Sequence, residues 1–586
     1  MASYSNAYSL STGSIADPEW NRLHSLLEQD MDNFENWESL IRATEALEGG
    51  IGRSSSSETV EQIRILFDAF LRKFPLLFGY WKRYADIEFS IAGSDAAEII
   101  YLHGIAGIPN SVDLWTGYCS FKMDTCPDED EVRDLFDTAA EFVGNDFLSH
   151  TLWDKYIEFE ERFERPDMVM QVLERVTRIP MHQYARYFER YTQLGATRPV
   201  EELTSQEEFD RVSSSLKMEQ AQKAEKMSAA EIDRELRIRI HKLHVTRFTE
   251  VQQQTMRRWP FEAEIKRPYF HVKPLDETEL INWRKYLDFE EIEGDFNRIR
   301  FLYEKCLVAT AFYDEFWFRY VRWLSGQDGD HTEDIRNIYR RGSGIFVPIG
   351  RPAFRIAYAH FEEAEGDYDL ARDIFQSILT ELPGNIETII ARASLERRVA
   401  GVSSAIEVYT MAIESGSCDV YTRGALIAEW ARLLWTVKGS PDDARALFEK
   451  YADHYLDSRY FWINFLQFEI GLPSSLETEA ERYKYISKVH NDIRTKTRLP
   501  PLVIKDLSHT YMVYLLERGG PGAIKEYSEL DVEVNGPFSM QREHKRKLSE
   551  DGSEETTNKR LKKTNGQQVE ELEESRHFAM DIPAAD

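Results

Sequence analysis

Aromatic and aliphatic residues recur along the chain in one helical rhythm. Trp283, Tyr286, Phe289 and Glu290 stand at offsets 0, 3, 6 and 7. At 3.6 residues per turn the first three form a single, slowly drifting stripe on a helix. The same offsets return in Trp81, Tyr84, Ile87 and Glu88, in Trp153, Tyr156, Phe159 and Glu160, and in Trp462, Phe465, Phe468 and Glu469. Looser copies begin at Trp37, at Trp115 with Tyr118 and Phe121, and at Trp317 with Tyr320 and Trp323. Others replace the tryptophan, as in Tyr184/Tyr187, Arg355/Tyr358/Phe361/Glu362 and Ile389/Leu395/Glu396. Starts at 81, 115 and 153, then at 283, 317, 355 and 389, give steps of 34 and 38, then 34, 38 and 34. A period in this range marks a helical repeat array and predicts an all-α solenoid of helix-turn-helix units.

A second element follows each stripe by about a dozen residues. It reads Ile299-Arg-Phe-Leu-Tyr-Glu-Lys305, Ile335-Arg-Asn-Ile-Tyr-Arg-Arg341, Ala371-Arg-Asp-Ile-Phe375, Ala405-Ile-Glu-Val-Tyr409 and Ala444-Arg-Ala-Leu-Phe-Glu-Lys450. Pro75, Pro109 and Pro383 each stand six residues before a first-position residue, Trp81, Trp115 or Ile389. A proline there is expected to end one helix and to occupy the first turn of the next. The rings at the first and fourth positions read as repeat core and not as a stacking platform for RNA or a cofactor. Truncating a buried tryptophan of this set is expected to cost about 3–5 kcal/mol. The recurrent glutamate at the eighth position reads as a repeat-stabilising contact.

One segment interrupts the rhythm, Lys266 to Glu290, KRPYFHVKPLDETELINWRKYLDFE. Pro268 and Pro274 exclude regular helix, so Arg267–Lys273 is expected to be an extended connector. Asp276 with Glu279 has the spacing of a capping box for the helix that follows. The W-x2-Y-x2-F-E helix followed by A-R-x-[IL]-[YF]-E-[RK] resembles the HAT (half-a-TPR) repeat of RNA-processing scaffolds. The connector, through Lys266, Arg267, Pro268, Tyr269, Phe270, His271 and Pro274, resembles the centre of the pre-mRNA-processing factor 39 family. That likeness extends over residues 20 to 537.

The resemblance implies a scaffold of the U1 small nuclear ribonucleoprotein, which recognises the 5′ splice site. It implies protein partners such as the C protein and the 70-kDa protein, with U1 RNA and pre-mRNA reached indirectly. It also implies dimerisation through the C-terminal arm, as a homodimer or with a paralogue. The alternative is a HAT-repeat scaffold for messenger 3′-end cleavage or ribosomal RNA processing. A helical-repeat enzyme, such as a prenyltransferase subunit, would need a catalytic partner.

Composition narrows the choice further. With 102 acidic against 72 basic residues the net charge is −30, which argues against a surface that grips nucleic acid broadly through phosphates. Cys119, Cys126, Cys306 and Cys418 show no metal-ligand spacing and read as reduced thiols. The N-terminal residues lack a signal pattern and no apolar run has the length of a membrane span. A soluble, intracellular protein without a cofactor is expected. No Walker loop, HExxH or Gly-x-Ser-x-Gly is present. His241 and His244 have a spacing that approaches a metal but no third ligand, and Gly342-Ser-Gly344 reads as a turn between repeat helices. No enzyme is expected.

The expected organisation is a disordered Ser-rich segment at 1–16, an N-terminal arm at 17–197 and linker helices with the connector at 198–275. A C-terminal arm at 276–537 and a disordered charged tail at 538–586 follow. In the linker, Leu236, Ile240 and Leu243 lie beside Arg234, Arg237, Arg239, Lys242 and Arg247. This basic amphipathic strip is the candidate for an acidic partner or an RNA backbone, against the plainer reading of a solvated helix. In the tail, Lys545, Arg546 and Lys547, then Lys559, Arg560, Lys562 and Lys563, resemble a bipartite nuclear import signal, so the nucleus is the expected location.

Overall fold

The structure, a computed structural model, describes residues 17–221, 227–473 and 478–536. Among these the regular structure is helical throughout, without strands, and no helix is long and apolar enough to cross a membrane. The expected segments at 1–16 and 538–586, with the import signal, lie outside the described residues. Contacts divide the chain into two compact units, Met1–Leu382 and Pro383–Asp586.

In the first unit, Pro18–Gln29 leads into consecutive helix pairs, among them Phe78–Ala92 with Ser94–Gly107 and Val112–Thr125 with Glu129–Val143. The chain then passes through Gln206–Ala221 and Ala229–Glu264 before the pairs resume at Glu277–Glu293 with Phe296–Ala309. The second unit continues the motif from Ile386–Val399 to Ala523–Asn535. Helices pack chiefly on their chain neighbours, the arrangement of a repeat array. Asp17 opens the first helix as its periodicity predicts: the carboxylate accepts from the amides of Glu19 and Trp20, with Pro18 at the first helical position.

The repeats are joined by one recurring ring contact. An aromatic from the second helix of a unit lies flat on the fourth-position ring of the next. The pairs are Phe67/Tyr84, Tyr101/Tyr118, Phe136/Tyr156, Phe261/Tyr286, Tyr303/Tyr320 and Tyr339/Tyr358 in the first unit, and Phe448/Phe465 in the second. Centroids are 4.6–5.2 Å apart and planes lie within 16°. Such offset pairs contribute about 0.5–1.5 kcal/mol each beyond the area they bury.

Three residues before the lower ring stands an arginine, and its fork meets the eighth-position glutamate of the next unit. Arg64 holds Glu88, Arg133 holds Glu160, Arg258 holds Glu290, Arg336 holds Glu362 and Arg445 holds Glu469, each through two N–H donors at 2.6–3.2 Å. The five carboxylates are at most 3% exposed, so each requires its guanidinium. One junction carries the pair reversed: Glu98 occupies the arginine position and Lys122 the glutamate position, 2.8 Å apart. Where Leu324 replaces the glutamate, Arg300 turns to Asp334 instead.

The first-position rings Trp37, Trp115, Trp153, Trp283, Trp317 and Trp462 are at most 3% exposed, as are Tyr84, Tyr118, Tyr156, Tyr286, Tyr320 and Tyr358. Trp81 departs from the expectation and is only half-buried; one side of its indole packs directly on Gly104, where a Cβ would stand 3.2 Å from the ring. The prolines also act differently from the expectation. Pro75 and Pro109 lie in the loops between helices, not in a first turn, and their carbonyls accept the indole N–H of Trp81 and Trp115 at 2.8 Å. Met31 and Ala311 offer the same bond to Trp37 and Trp317. In these four units the loop six residues upstream therefore fixes the tryptophan, whatever its side chain.

Gly342–Phe346 is not a turn but a π-helical extension of Thr332–Arg341. A Cβ at Gly342 would stand 2.5 Å from the Phe354 ring, so glycine is required for packing there. On Val420–Thr436 a Cβ at Gly424 would meet Ser458 Oγ at 2.8 Å, so glycine again lets two helices lie close.

The reversed junction gives a direct test. Lys122→Glu gathers three carboxylates, with Glu98 and Glu131, and is expected to lower stability by about 3 kcal/mol or more. Adding Glu98→Arg restores the polarity of the other junctions and should recover most of that loss. Urea unfolding midpoints of the single and double variants decide it; equal losses in both would reject a paired role.

Candidate functional site

The connector leaves Ala229–Glu264 and enters Glu277–Glu293 without regular structure. Arg267 closes it into a loop: its guanidinium donates to the Lys273 carbonyl at 2.8 Å, and its amide donates to Glu279 Oε1 at 2.9 Å. The capping box expected of Asp276 and Glu279 therefore does not form. Asp276 is the N-cap residue but makes no side-chain cap, and the Glu279 carboxylate that would return the bond is committed to the connector. Phe270 is buried edge-on against Phe312, and the Leu275 amide donates to the Tyr313 hydroxyl. His271 lies beside Phe34, more than two hundred residues earlier in the chain. Pro268 and Tyr269 wall a cavity of about 240 Å³ with Leu76, Ile108 and Leu148. The segment is a strap across the loops of the N-terminal repeats, with Lys266, Tyr269, Lys273 and Pro274 exposed.

Beside the strap lies a buried charged cluster. Lys305 Nζ is 3.2 Å from Asp146 and 2.9 Å from Glu262, and all three side chains are less than a tenth exposed. Burial works against the ammonium, but Asp146 and Glu262 outweigh it and hold the Lys305 pKa above the usual lysine range. Asp146 belongs to the turn between Glu129–Val143 and His150–Arg162, so this contact clamps an early repeat to Phe296–Ala309. Next to it Arg258 grips Glu290, while Arg298 stands 3.9 Å from the same carboxylate. Burial and the neighbouring Arg258 push the Arg298 pKa down.

The linker strip is largely consumed inside the fold. Leu236 and Ile240 are buried, whereas Leu243 is exposed. Arg237 pairs with Asp233 and donates to the carbonyls of Gly195 and Arg198; Arg239 pairs with Glu219 and Glu235; Arg247 pairs with Glu208. Only Arg234 and Lys242 of the five stand exposed, too few for a phosphate-binding stripe. Ala229–Glu264 is also more than a solvated spacer, since its last turns carry Arg258 and Phe261 and so supply the second helix of a repeat. His244 is a core residue with Nε2 at 3.0 Å from the Tyr191 hydroxyl and 3.2 Å from the Leu203 carbonyl. Among the described residues no group of three or more His, Cys, Asp or Glu is placed to hold a metal ion.

Residues 21–193 match the family model described as PRP39 N-terminal HAT repeat, and residues 256–398 match the PRP39 C-terminal HAT repeat. A pre-mRNA-processing factor 39 of Schizosaccharomyces pombe is 48% identical over 94% of this chain and 92% of its own length. The chain belongs to the pre-mRNA-processing factor 39 family. The human protein of that name is 27% identical over 82% of this chain and 73% of its own. The U1 small nuclear ribonucleoprotein component PRP42 of Saccharomyces cerevisiae is 23% identical over 64% of this chain and 70% of its own. The strap lies within the C-terminal match of the family, and the repeats that it crosses lie within the N-terminal match.

The second unit ends on an apolar surface. Leu502, Val513 and Leu516 on Pro501–Arg518, with Ile524 and Val532 on Ala523–Asn535, are each more than half exposed. On the inner side Tyr511 stacks on His490 at 4.1 Å. The sequence reading missed this surface, since it marked the last unit only through its buried Tyr511, Tyr514 and Leu515. The 502/509/513/516 spacing carried the signal.

Burial pushes the His244 pKa down to about 4 against the pull of the Leu203 carbonyl, with Arg178 and His241 adding to the depression. The unfolded chain takes up this proton near the ordinary histidine value, while the folded chain refuses it until far lower pH. The stability tied to a neutral His244 is therefore complete above pH 6.5 and is lost as pH falls towards 4. Between pH 6.5 and 5 this amounts to about 2 kcal/mol. Urea unfolding at pH 7 and pH 5 should show His244→Gln less pH-sensitive than the parent chain; an identical pH dependence would contradict the assignment.

Proposed function

We infer that the chain is a non-catalytic scaffold of the U1 small nuclear ribonucleoprotein. In this reading it acts in pre-mRNA splicing and supports 5′ splice site recognition through protein–protein contacts. The observation that carries the reading is the 48% identity to a pre-mRNA-processing factor 39 along nearly the whole chain. The similarity to PRP42, a U1 small nuclear ribonucleoprotein component, adds the particle. Internal pairing of the linker arginines supports attachment through protein instead of broad phosphate contact. The partners in this reading are the C protein and the 70-kDa protein, with U1 RNA and pre-mRNA reached through them. The work is done in the nucleus, reached through the basic clusters Lys545–Lys547 and Lys559–Lys563.

The tagged chain is expected to recover U1 RNA together with the C and 70-kDa proteins from nuclear extract. Recovery of cleavage-factor or ribosomal-processing subunits without U1 RNA would overturn the assignment.

The same reading includes self-association, or pairing with a paralogue, through the C-terminal arm. Exposed Leu502, Val513, Leu516, Ile524 and Val532 form the kind of apolar face that a terminal repeat covers with a partner. Light scattering of the full chain at micromolar concentration should give a dimer mass, and Val513→Asp with Leu516→Asp should give a monomer. A monomeric parent chain would contradict homodimerisation.

A further inference from the structure

Two cavities of the first unit run into one another. One, of about 310 Å³, and a second, wider one of about 570 Å³ share Asn145, Asn297 and Phe301 as common walls. The continuous cleft opens between the N-terminal repeats, which bring Asn110 and Asn145 from loops and Phe142 from the last turn of Glu129–Val143, and the helices Phe296–Ala309 and Thr332–Arg341, which bring Asn297, Phe301 and Asn337.

What lines this cleft divides sharply by chemistry. Its cations are mostly spent. Arg300 is paired with Asp334, Arg341 with Glu304, Arg178 with Glu174 and Glu208, and Lys305 with Asp146 and Glu262. Its asparagines are free. The side-chain amides of Asn110, Asn145, Asn297 and Asn337 make no hydrogen bond to any described residue. Phe142, stacked beneath by Trp115, is 45% exposed. A phosphate backbone needs unpaired arginine or lysine, and the cleft offers few. An extended polypeptide needs groups that donate and accept at once, and a primary amide does both. The exception among the cations is Arg298. Its Nε is buried and without a hydrogen-bond partner, and the carboxylate nearest to it, Glu290, is already held by Arg258 through two bonds. A part-buried guanidinium without a hydrogen-bonded partner attracts a further carboxylate.

We propose that this asparagine-lined cleft binds an extended segment of a partner protein. The asparagine amides pair with its main chain, Phe142 and Phe301 receive an apolar side chain, and Arg298 receives an acidic one. The proposal rests on the scaffold reading only in taking the chain to bind proteins, and it names the form that one partner takes. Recognition by main-chain pairing with a few side-chain anchors is the economical way for a rigid solenoid to hold a flexible segment.

The test uses the full purified chain and a phage-displayed library of random dodecapeptides, with fluorescence anisotropy of the recovered peptides. Recovered peptides are expected to share an Asp or Glu next to an apolar residue. They should bind the Asn145→Ala/Asn297→Ala chain about tenfold more weakly or worse. Arg298→Gln should weaken the acidic peptides but not copies in which the acid is replaced by its amide. The two asparagines are exposed, so the circular-dichroism melt of the double variant should match that of the parent chain. Recovery of no peptide, or of peptides indifferent to the asparagines, would overturn the proposal. So would an oligouridylate whose binding is lost in the same variant, since that would make the cleft an RNA site. Because no ribonucleoprotein is present, failure here leaves recovery of U1 RNA by the tagged chain as an independent result.

Discussion

A flat ring pair at seven junctions, backed at five of them by a buried arginine–glutamate fork, is the contact on which the array depends. A helix pair of this size cannot bury its apolar face alone. Stacking the next pair supplies the missing cover, but apolar cover alone would allow the units to slide or rotate. The ring pair fixes lateral position because its centroid separation and tilt are narrow. The fork adds a penalty for misalignment, since the glutamate, once buried, must meet two donors in one plane. Phe136 on Tyr156 with Arg133 on Glu160 shows both parts within two turns of helix.

The same device explains the most irregular part of the chain. Ala229–Glu264 lacks the repeat signature over most of its length, yet it ends in Arg258 and Phe261, placed as an arginine and an aromatic three residues on. These engage Glu290 and Tyr286 as any preceding unit would. The helix thus hands the array across the connector. The strap and the Asp146–Lys305–Glu262 cluster then tie the resumed repeats back to the earlier ones.

Much of this was legible in the sequence because solenoid packing is local. The 34- and 38-residue steps, the tryptophan and tyrosine positions and the interruption at Lys266–Pro274 all follow from neighbour contacts that recur in register. What was not legible depends on side chains that meet across distance or on the absence of a side chain. Glu279 reads as a cap until Arg267 claims it. Trp81 reads as core like its counterparts, yet it stays half-buried, with Gly104 in place of a side chain on one side of its ring. The linker arginines read as a free basic face, although their partners Glu208 and Glu219 sit on the preceding helix. Asp146 carries no periodic signal, and the recurring basic position at Lys305 does not announce this partner, because their contact occurs once. The reversed Glu98–Lys122 pair was within reach, since both residues occupy the positions of the other forks.

A double-mutant cycle at one junction tests the account most directly. Phe136→Leu, Tyr156→Leu and the double variant keep apolar volume but remove the stacked faces, and urea unfolding of the four chains yields the coupling. A coupling energy of about 1 kcal/mol between the two rings is expected. Additive losses, with no coupling, would show that the rings merely fill space and that the register is set elsewhere.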